Sequence, residues 1–208
     1  MIAVIDYGMG NLRSVSKALE HLGARVQVTS DPTAVQQAEK IVLPGVGAFP
    51  AAMRELAARH LIEPVKDAIA FGKPYLGICL GLQLLFDASE EGEGANGMGV
   101  LSGTVKRLPA APPRKIPHMG WNQIRRQKAE DRRQNDCPLL KDIPDGSFVY
   151  FVHSYYAEPS NAGVVALETD YETQFASMVW RDQLFATQFH PEKSQTVGLQ
   201  LLENFLKL

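Results

Sequence analysis

The stretch that decides the fold reads Tyr75-Leu76-Gly77-Ile78-Cys79-Leu80-Gly81-Leu82-Gln83. Its apolar first part, residues 75–78, is typical of a buried strand, and residues 80–86 are predicted to start a helix. Gly77 and Gly81 flank Cys79, where any Cβ would collide with neighbouring backbone in a sharp turn. The stretch therefore predicts a strand, a strained turn that lifts the Cys79 side chain above the sheet, and a helix.

The cysteine in this turn has two interpretations. The N-terminus of the following helix points at the sulfur and favours the thiolate, which is the reactive form. The same residues also fit a buried structural cysteine packed between glycines, because free cysteine is among the most buried residue types. Other parts of the sequence must decide between a nucleophile and a packing residue.

Strands and helices alternate around this turn over the first 90 residues. Apolar runs at 2–5, 26–28 and 41–43 predict three further strands, and a helical repeat over 12–22 ends at Gly23. Such alternation predicts βαβ units and a largely parallel sheet. The sequence therefore predicts an α/β fold in this half of the chain.

The loops after these strands are expected to meet at one edge of the sheet. Sites in parallel sheets lie at the carboxyl ends of the strands, here the loops at 6–11, 44–47 and 79–81. Between two of these loops, residues 51–71 are predicted to be helical. A break is expected near Glu63-Pro64, because the residue before a proline avoids the α region.

The second half of the sequence predicts an antiparallel portion. Four strands with hairpin-like spacing are expected at 148–152, 163–169, 176–180 and 184–189. A closing amphipathic helix follows, and a proline-rich loop is expected at 108–117. Residues 123–136 carry mixed charges, which indicates a solvated excursion. The apolar face of the closing helix consists of Val197, Leu201, Phe205 and Leu208.

Composition narrows the class of protein. A chain of 208 residues is one large domain or two small ones. Its 45% hydrophobic residues suffice for a hydrophobic core that needs no disulfide or metal cross-links. The net charge of −2 argues against nucleic acid or an anionic membrane as the main partner. Two cysteines, Cys79 and Cys137, indicate a reducing, cytoplasmic setting. No apolar run is long enough to span a membrane, and the first residues do not resemble a signal sequence.

His190-Pro191-Glu192 supplies a base and a carboxylate that could serve Cys79. An extended conformation from the strand at 184–189 through Pro191 would project His190 and Glu192 to the same side. The carboxylate could then hold one ring nitrogen while the other takes the proton from sulfur, which is the logic of a catalytic triad. Taken alone, such a pair is usually found at the surface, and its combination with Cys79 favours a nucleophilic site.

Pro44-Gly45-Val46-Gly47 ends the strand next to the cysteine turn. Backbone amides of Val46 and Gly47, together with that of Leu80, could form an oxyanion hole, although a plain turn fits the glycines equally well. Gly8 and Gly10 do not complete a dinucleotide loop, because the third glycine position holds Arg13. Histidine and cysteine spacing matches no metal site, so neither a metal nor a cofactor is predicted.

At these residues the chain resembles the class I, or triad, glutamine amidotransferases. The motifs are Pro-Gly-Val-Gly at 44–47, Gly-Ile-Cys-Leu-Gly at 77–81 with Gln83, and His-Pro-Glu at 190–192. The resemblance covers essentially the whole chain. It implies one domain over residues 1–208 with a three-layer, flavodoxin-like α/β fold, whose central sheet is mainly parallel with an additional antiparallel portion in the second half.

More narrowly, the chain is similar to the glutaminase subunits of imidazole glycerol phosphate synthases. Four segments carry this likeness, and the Pro-Gly-Val-Gly strand separates it from relatives that usually carry Gly-Gly there. The segments are Asp6-Tyr7-Gly8-Met9-Gly10-Asn11, Pro44-Gly45-Val46-Gly47-Ala48-Phe49, Lys115-Ile116-Pro117-His118-Met119-Gly120-Trp121-Asn122 and Tyr150-Phe151-Val152-His153-Ser154-Tyr155.

The resemblance implies a reaction. Cys79 attacks the side-chain amide of glutamine, His190 protonates the departing ammonia, and Glu192 orients His190. Water that His190 activates then hydrolyses the glutamyl thioester. The residues that match glutamine-holding positions are Gln83, Ser154 and Tyr155.

The resemblance also implies a partner. A separate cyclase subunit with a (β/α)₈ barrel would receive the ammonia and form imidazole glycerol phosphate and AICAR in histidine biosynthesis. The oxyanion strand is expected to need a backbone flip near Val46 that depends on occupancy of this partner. Asn11, Trp121 and Lys193 match positions near the interface or the ammonia route.

Three alternatives remain open on the sequence. A glutaminase could serve another synthase, such as one that makes pyridoxal phosphate or anthranilate, and co-purification would identify that partner. A cysteine peptidase could use the same turn, and casein cleavage would reveal it. A regulatory binding module could retain a relic site, in which case a glutamine-analogue electrophile would not trap Cys79.

Overall fold

The computed structural model describes residues 1–92, 94–110, 115–127 and 137–208. It contains six α-helices and fourteen strands in these ranges. The helices are α1 (Leu12–His21), α2 (Pro32–Gln37), α3 (Phe49–Ala58), α4 (Ile62–Ala70), α5 (Leu80–Gln83) and α6 (Gln195–Leu206). The strands are β1 (Ile2–Ile5), β2 (Val26–Thr29), β3 (Lys40–Gly45), β4 (Tyr75–Cys79), β5 (Phe86–Ser89), β6 (Ala95–Asn96), β7 (Leu101–Arg107), β8 (His118–Gln123), β9 (Arg125–Arg126), β10 (Phe148–His153), β11 (Tyr155–Pro159), β12 (Val165–Asp170), β13 (Gln174–Arg181) and β14 (Leu184–Thr187).

A central sheet of eight strands organises the molecule. Its order is β2-β1-β3-β4-β14-β13-β12-β9. The first five strands pair in parallel, and β14-β13-β12-β9 pair antiparallel. The order 2-1-3-4 at the start is that of flavodoxin-like sheets. The predicted fold, a mainly parallel sheet with an antiparallel portion from the second half, is confirmed.

Two apolar cores cover the two faces of this sheet. Strand residues alternate between them, so Ala3 and Ile5 belong to one core while Ile2 and Val4 belong to the other. Residues of α3 and α4 pack on the first face, and residues of α1 and α6 pack on the second. The result is the three-layer arrangement that the family resemblance implies.

Two smaller sheets stand beside the central one. A four-stranded sheet has the order β11-β7-β5-β6, and β8 pairs antiparallel with β10 in a two-stranded ribbon. The register of the ribbon pairs Tyr150 with Trp121 and His153 with His118. One face of the ribbon therefore carries Met119, Trp121, Phe148 and Tyr150, and the other carries the two histidines. The end of β10 leads directly into β11.

The helical segment at 51–71 is broken, but not where the prediction placed the break. α3 ends at Ala58, and α4 begins at Ile62. Pro64 lies in the first turn of α4, where its missing N–H has no intrahelical acceptor to lose. The expected break at Glu63-Pro64 was wrong because a proline there is compatible with a helix start.

The helix after Cys79 is shorter than predicted. α5 covers one turn, and the chain then forms β5 instead of continuing as a helix to Phe86. A helix of this length has few aligned peptide dipoles, so its contribution to stabilising a thiolate is small. The predicted role of the helix N-terminus is therefore largely lost, and other groups must act on the sulfur.

The polar segment at 123–136 is not wholly a solvated excursion. Ile124 is buried, and β9 forms the edge of the central sheet by pairing with β12. The guanidinium of Arg126 donates hydrogen bonds to the carbonyls of Leu140 and Ile143. Residues 128–136 of this segment, and 111–114 of the predicted proline-rich loop, lie outside the described residues.

The other predicted elements agree with the structure within a few residues. α1 ends before Gly23, whose φ is +86°. In α6, Leu201 and Phe205 are buried, whereas Leu208 lies beyond the helix and is exposed. Within the described residues, none of the helices is long and apolar enough to cross a membrane.

We predict that Gly81→Ala destabilises the protein far more than Gly23→Ala. A Cβ on Gly81 would overlap the carbonyl oxygen of Leu43, because α5 crosses directly over β3. We expect a loss of about 3 kcal/mol in the free energy of unfolding, measured by urea denaturation. A Cβ on Gly23 meets no atom within 4 Å, so only its positive φ opposes alanine, at a cost of about 1 kcal/mol. Equal losses in the two variants would contradict this packing argument.

Candidate active site

Cys79 and His190 meet because their strands are neighbours in the central sheet. β4 and β14 run parallel, and their register pairs Ile78 with Thr187. Cys79 is the last residue of β4, and His190 follows shortly after the end of β14. Since parallel strands end at the same edge, two residues far apart in sequence lie together at their carboxyl ends.

The backbone of Cys79 is strained. Its φ of 56° and ψ of −106° lie outside the regions that non-glycine residues ordinarily adopt. α5 begins at the next residue, so the chain turns sharply and leaves the side chain at the sheet edge. Both flanking glycines are required, since a Cβ on Gly77 would lie 2.7 Å from the carbonyl oxygen of Gly81.

His190 and Glu192 form a buried pair. Nδ1 of His190 lies 2.9 Å from Oε1 of Glu192, and the side chains are 2% and 1% exposed. The predicted extended conformation through Pro191 was wrong, because residues Pro191–Lys193 form a 3₁₀ turn. The fixed φ of proline suits the first position of such a turn. The turn, not strand alternation, brings the carboxylate to the ring.

The carboxylate also fixes the histidine tautomer. An ionised carboxylate can only accept a hydrogen bond, so Nδ1 of His190 carries the proton and Nε2 is left for the nucleophile. Nε2 makes no hydrogen bond of normal geometry with the described residues. Oε1 of Glu192 accepts from the ring, while its Oε2 has no partner in the same part of the chain.

Opposing effects set the charge of His190. Burial lowers its pKa, but the proximity of Cys79 and the hydrogen bond and charge of Glu192 raise it by more. The net result is a pKa well above the ordinary value of 6.5. His190 therefore holds its second ring proton at neutral pH when Cys79 is ionised.

Two neighbouring strands supply polar groups to the sulfur. The side-chain amide of Gln188 donates to Sγ of Cys79 at 3.6 Å, and the carbonyl oxygen of Val152 lies 3.8 Å from the sulfur. Gln188 is fully buried. Sequence reasoning missed Gln188, because its contact with Cys79 depends on the pairing of β14 with β4, in which Thr187 lies opposite Ile78.

A cavity of about 310 Å³ opens beside Cys79. All three predicted oxyanion residues line it, and Val46 is partly exposed at 41%. His190 is not among the lining residues, so the cavity reaches the sulfur but not the base. The lining residues are Val46, Gly47, Cys79, Leu80, Gln83, Glu91, Pro117, Val152, His153, Ser154 and Tyr155.

The profile of the glutamine amidotransferase class-I family matches residues 3–208. The chain belongs to the class-I glutamine amidotransferase family. Similar proteins of known description narrow the placement further. The chain is 50% identical over 210 residues to the imidazole glycerol phosphate synthase subunit HisH of Syntrophotalea carbinolica, covering 99% of this chain and 98% of that protein.

Other relatives of this amidotransferase carry the same description. It is 49% identical to the HisH subunit of Acinetobacter baylyi, which covers 99% of this chain and 97% of that protein. It is 51% identical to the HisH subunit of Synechococcus elongatus, with 99% and 92% coverage. At this identity over nearly the full length, the amidotransferase belongs to the HisH subunits of imidazole glycerol phosphate synthase.

Solved structures support the fold of the amidotransferase. A structure described as a glutamine amidotransferase superposes with a TM-score of 0.75 at 18% identity, covering 100% of this chain and 98% of that chain. A structure of PurLQS from Thermotoga maritima gives a TM-score of 0.74 at 19% identity, covering 99% and 97%. Likeness at such low identity shows a shared fold.

The predicted glutamine-holding residues of the amidotransferase all line the cavity. Gln83 is buried, and its amide nitrogen donates to the carbonyl of Tyr155 at 2.8 Å and to Oε1 of Gln188 at 3.0 Å. Both N–H groups of Gln83 are therefore used within the protein. Gln83 fixes the wall of the cavity and offers a ligand only its side-chain oxygen.

Glu91 is a lining residue that sequence reasoning missed. Its Oε2 accepts a hydrogen bond of 2.8 Å from the backbone N–H of Phe49, at the start of α3. No other described residue of the cavity wall is an aspartate, glutamate, lysine or arginine, so Glu91 gives this side of the cavity a negative charge. Its position in a glycine-rich segment hid this role from sequence reasoning.

A buried histidine pair adjoins the cavity of the amidotransferase and was also missed. Nδ1 of His153 donates to the carbonyl of Tyr155 at 2.9 Å, which leaves Nε2 to accept from Nδ1 of His118 at 2.9 Å. Nε2 of His118 in turn accepts from the side-chain amide of Asn122 at 3.3 Å. The tautomer of each histidine is therefore fixed, with the proton on Nδ1, because the series of hydrogen bonds starts at the Asn122 amide and ends on the carbonyl of Tyr155.

The predicted interface residues of the amidotransferase make different contacts within the described residues. The Trp121 ring packs edge-on against the Tyr150 ring, with 6.1 Å between the ring centroids. Nζ of Lys193 lies 5.6 Å from the Tyr150 ring centroid. Asn11 instead caps α1 by accepting from the backbone N–H of Ser14. Trp121 and Lys193 thus share one surface with Tyr150, whereas Asn11 belongs to the loop after β1.

The described residues contain no group of three or more histidine, cysteine, aspartate or glutamate side chains that could hold a metal ion. Cys137, the other cysteine, lies in the core, where burial raises its pKa to about 12. It is therefore a packing residue rather than a second nucleophile.

We predict that the histidine pair makes the protein acid-sensitive between about pH 6.5 and pH 4. Burial lowers the pKa of His118 to about 4, and burial together with His118 lowers that of His153 to about 3. Below about pH 6.5 the unfolded chain binds protons that the folded protein does not, so stability falls as pH falls. Each such proton contributes a slope of about 1.4 kcal/mol per pH unit.

Urea denaturation at a series of pH values checks this prediction. We expect His118→Gln to reduce the slope of unfolding free energy against pH, even though the variant is less stable at pH 7.5. His21→Gln is the control, because His21 is exposed at the end of α1. An unchanged slope in His118→Gln would show that the pair does not titrate on unfolding.

Proposed function

We propose that this chain is the glutaminase subunit of an imidazole glycerol phosphate synthase, acting as one domain over residues 1–208 in the cytoplasm. It hydrolyses glutamine to glutamate and ammonia through a thioester on Cys79. The observation that carries the proposal is the placement of Cys79, on a strained turn, beside the buried His190–Glu192 pair. Membership of the HisH subunits supports the choice of synthase.

In the first half of the reaction, Sγ of Cys79 attacks the side-chain carbonyl carbon of glutamine. The carbon–nitrogen bond then breaks, and His190 gives its Nε2 proton to the departing amine, which leaves as ammonia. The raised pKa of His190 keeps that proton available at neutral pH. The side-chain amide of Gln188 donates a hydrogen bond to the sulfur and orients it beside His190, a contact that the one-turn helix α5 does not supply.

In the second half, water hydrolyses the glutamyl thioester. His190, now neutral, takes a proton from water as the water oxygen attacks the carbonyl carbon, and the carbon–sulfur bond breaks to release glutamate. Glu192 stabilises the charged ring at both stages through Nδ1. Backbone amides of Val46, Gly47 and Leu80, which line the cavity, are proposed to hold the oxyanion.

Recognition of glutamine follows from the cavity wall. A free amino acid carries an ammonium and a carboxylate, and Glu91 is placed to receive the ammonium. Gln83, Ser154 and Tyr155 hold the rest of the substrate. A peptide lacks the free ammonium at an internal residue, so the acidic wall favours glutamine over a peptide.

The exposed face of the β8–β10 ribbon is proposed to receive the cyclase subunit, a (β/α)₈ barrel. Met119, Trp121 and Phe148 are 65%, 46% and 54% exposed, which is unusual for large apolar side chains so close together. Val152, on the same strand as Phe148, lines the cavity. Ammonia released at Cys79 therefore lies next to this face, where the partner would use it to form imidazole glycerol phosphate and AICAR.

Glutamate release by the purified chain, alone and with the cyclase subunit and its nucleotide substrate, tests the function. We predict that Cys79→Ala abolishes release and leaves partner binding intact, because Cys79 is 6% exposed and its side chain is not one of the exposed apolar side chains of the ribbon face. Cys137→Ala is the matched control, a buried cysteine that we expect to be dispensable for activity. Retained hydrolysis in Cys79→Ala would overturn the nucleophile assignment.

A second prediction concerns Glu91→Gln. Because the variant removes a charge but keeps the shape and the acceptor for Phe49, we expect KM for glutamine to rise about 10- to 100-fold with a smaller change in kcat. Steady-state kinetics measures both values. A KM that does not change would show that Glu91 only caps α3.

A further inference from the structure

Backbone hydrogen bonds join His190 to strand β10. The N–H of His190 donates to the carbonyl of Tyr150 at 2.9 Å. The hydroxyl of Ser194 donates to the carbonyl of His190 at 2.7 Å and accepts from the N–H of Tyr150 at 3.0 Å. The backbone N–H and C=O groups of both His190 and Tyr150 therefore belong to one closed ring of hydrogen bonds, which passes through the Ser194 hydroxyl.

The position of Ser194 makes this arrangement unusual. Ser194 precedes α6 at the N-cap, where a serine side chain ordinarily accepts a hydrogen bond from an amide in the first turn. Its side chain makes no such capping bond and turns to His190 and Tyr150 instead. The first turn of α6 therefore lacks the usual side-chain cap, and the Ser194 hydroxyl is hydrogen-bonded to the backbone of His190 instead.

The same strand also reaches the nucleophile. Val152 lies two residues after Tyr150 on β10, and its carbonyl oxygen is 3.8 Å from Sγ of Cys79. β10 therefore holds the backbone of the base at Tyr150 and borders the sulfur at Val152. A shift of His190 relative to β10 would change the separation of base and sulfur directly.

Ser194 is fixed for this role. It is 1% exposed, and its own N–H donates to the carbonyl of Pro191 at 3.0 Å within the 3₁₀ turn. Gly198 of α6 leaves room for the turn, since a Cβ there would lie 2.9 Å from Cβ of Ser194 and would overlap the Pro191 carbonyl. The hydroxyl has little freedom to seek other partners.

We propose that Ser194 is a positioning residue of the glutaminase, which sets the distance and angle of His190 to Cys79 by tying His190 to β10. This inference rests on the proposed function. Ser194 touches neither the cavity nor the sulfur, so it acts through His190 alone. Its loss leaves the glutamine-binding wall in place and disturbs proton transfer.

The test compares Ser194→Ala, Ser194→Thr and Ser177→Ala in complex with the cyclase subunit. We expect Ser194→Ala to lower kcat for glutamine hydrolysis about 10- to 100-fold, while KM changes less than about threefold. Ser194→Thr keeps the hydroxyl and is expected to recover most of kcat. Ser177 is equally buried, and its hydroxyl has no partner among the described residues, so Ser177→Ala should match the wild type.

A spectroscopic measurement separates positioning from simple loss of stability. In ¹⁵N-histidine NMR spectra we expect the His190 ring of Ser194→Ala to titrate at lower pH than in the wild type, because the ring moves from its charged neighbours. If Ser194→Ala does not fold, Ser194→Cys provides a weakly hydrogen-bonding replacement of similar size for both measurements. An unchanged titration, or a fall in kcat no larger than the fall in folded fraction, would overturn the proposal.

The wild-type protein keeps this test distinct from the test of function. Absence of glutamate release by the wild-type complex would overturn the proposed function, and the NMR titration would still report on the tie between Ser194 and His190. Normal release by the wild type and by Ser194→Ala would overturn the positioning role and leave the glutaminase assignment intact.

Discussion

The parallel pairing of β4 with β14 is the constraint on which the site depends. It places the end of the cysteine strand beside the segment that carries Gln188 and His190, and no local sequence feature could join them otherwise. The close passage of α5 over β3 holds that strand end in its strained turn, which is why glycine is needed at 81. Packing of backbone against backbone, more than any side-chain contact, thus determines where the sulfur lies.

Features that depend on residue type and local periodicity were predictable. The apolar runs located β1 to β4, Gly77 and Gly81 located the turn, and an antiparallel portion was correctly expected in the second half. Predictions were wrong where one local sequence pattern is compatible with two different backbone structures. Pro64 can end a helix or begin one, and the His190 segment can bring its carboxylate near by strand or by 3₁₀ turn. Sequence periodicity does not distinguish these cases.

Residues whose roles come from tertiary contacts were not predictable in this way. Gln188 acquires its role from strand register, Glu91 from the position of its loop, and His118 and His153 from the pairing of β8 with β10. Each is an ordinary polar residue in sequence. Their contacts form only after both sheets are built, so a motif search confined to neighbouring positions cannot reveal them.

The place of β14 in the sheet has a consequence for biosynthesis. This strand lies in the interior, between β4 and β13, yet it directly precedes the His190 segment and follows all the other described strands in chain order. On the ribosome, Cys79 emerges about 110 residues before its base, and the sheet must remain open for a late insertion. The growing chain therefore carries a cysteine without its acid–base partner, and catalytic competence arises in one step when the last interior strand closes the sheet.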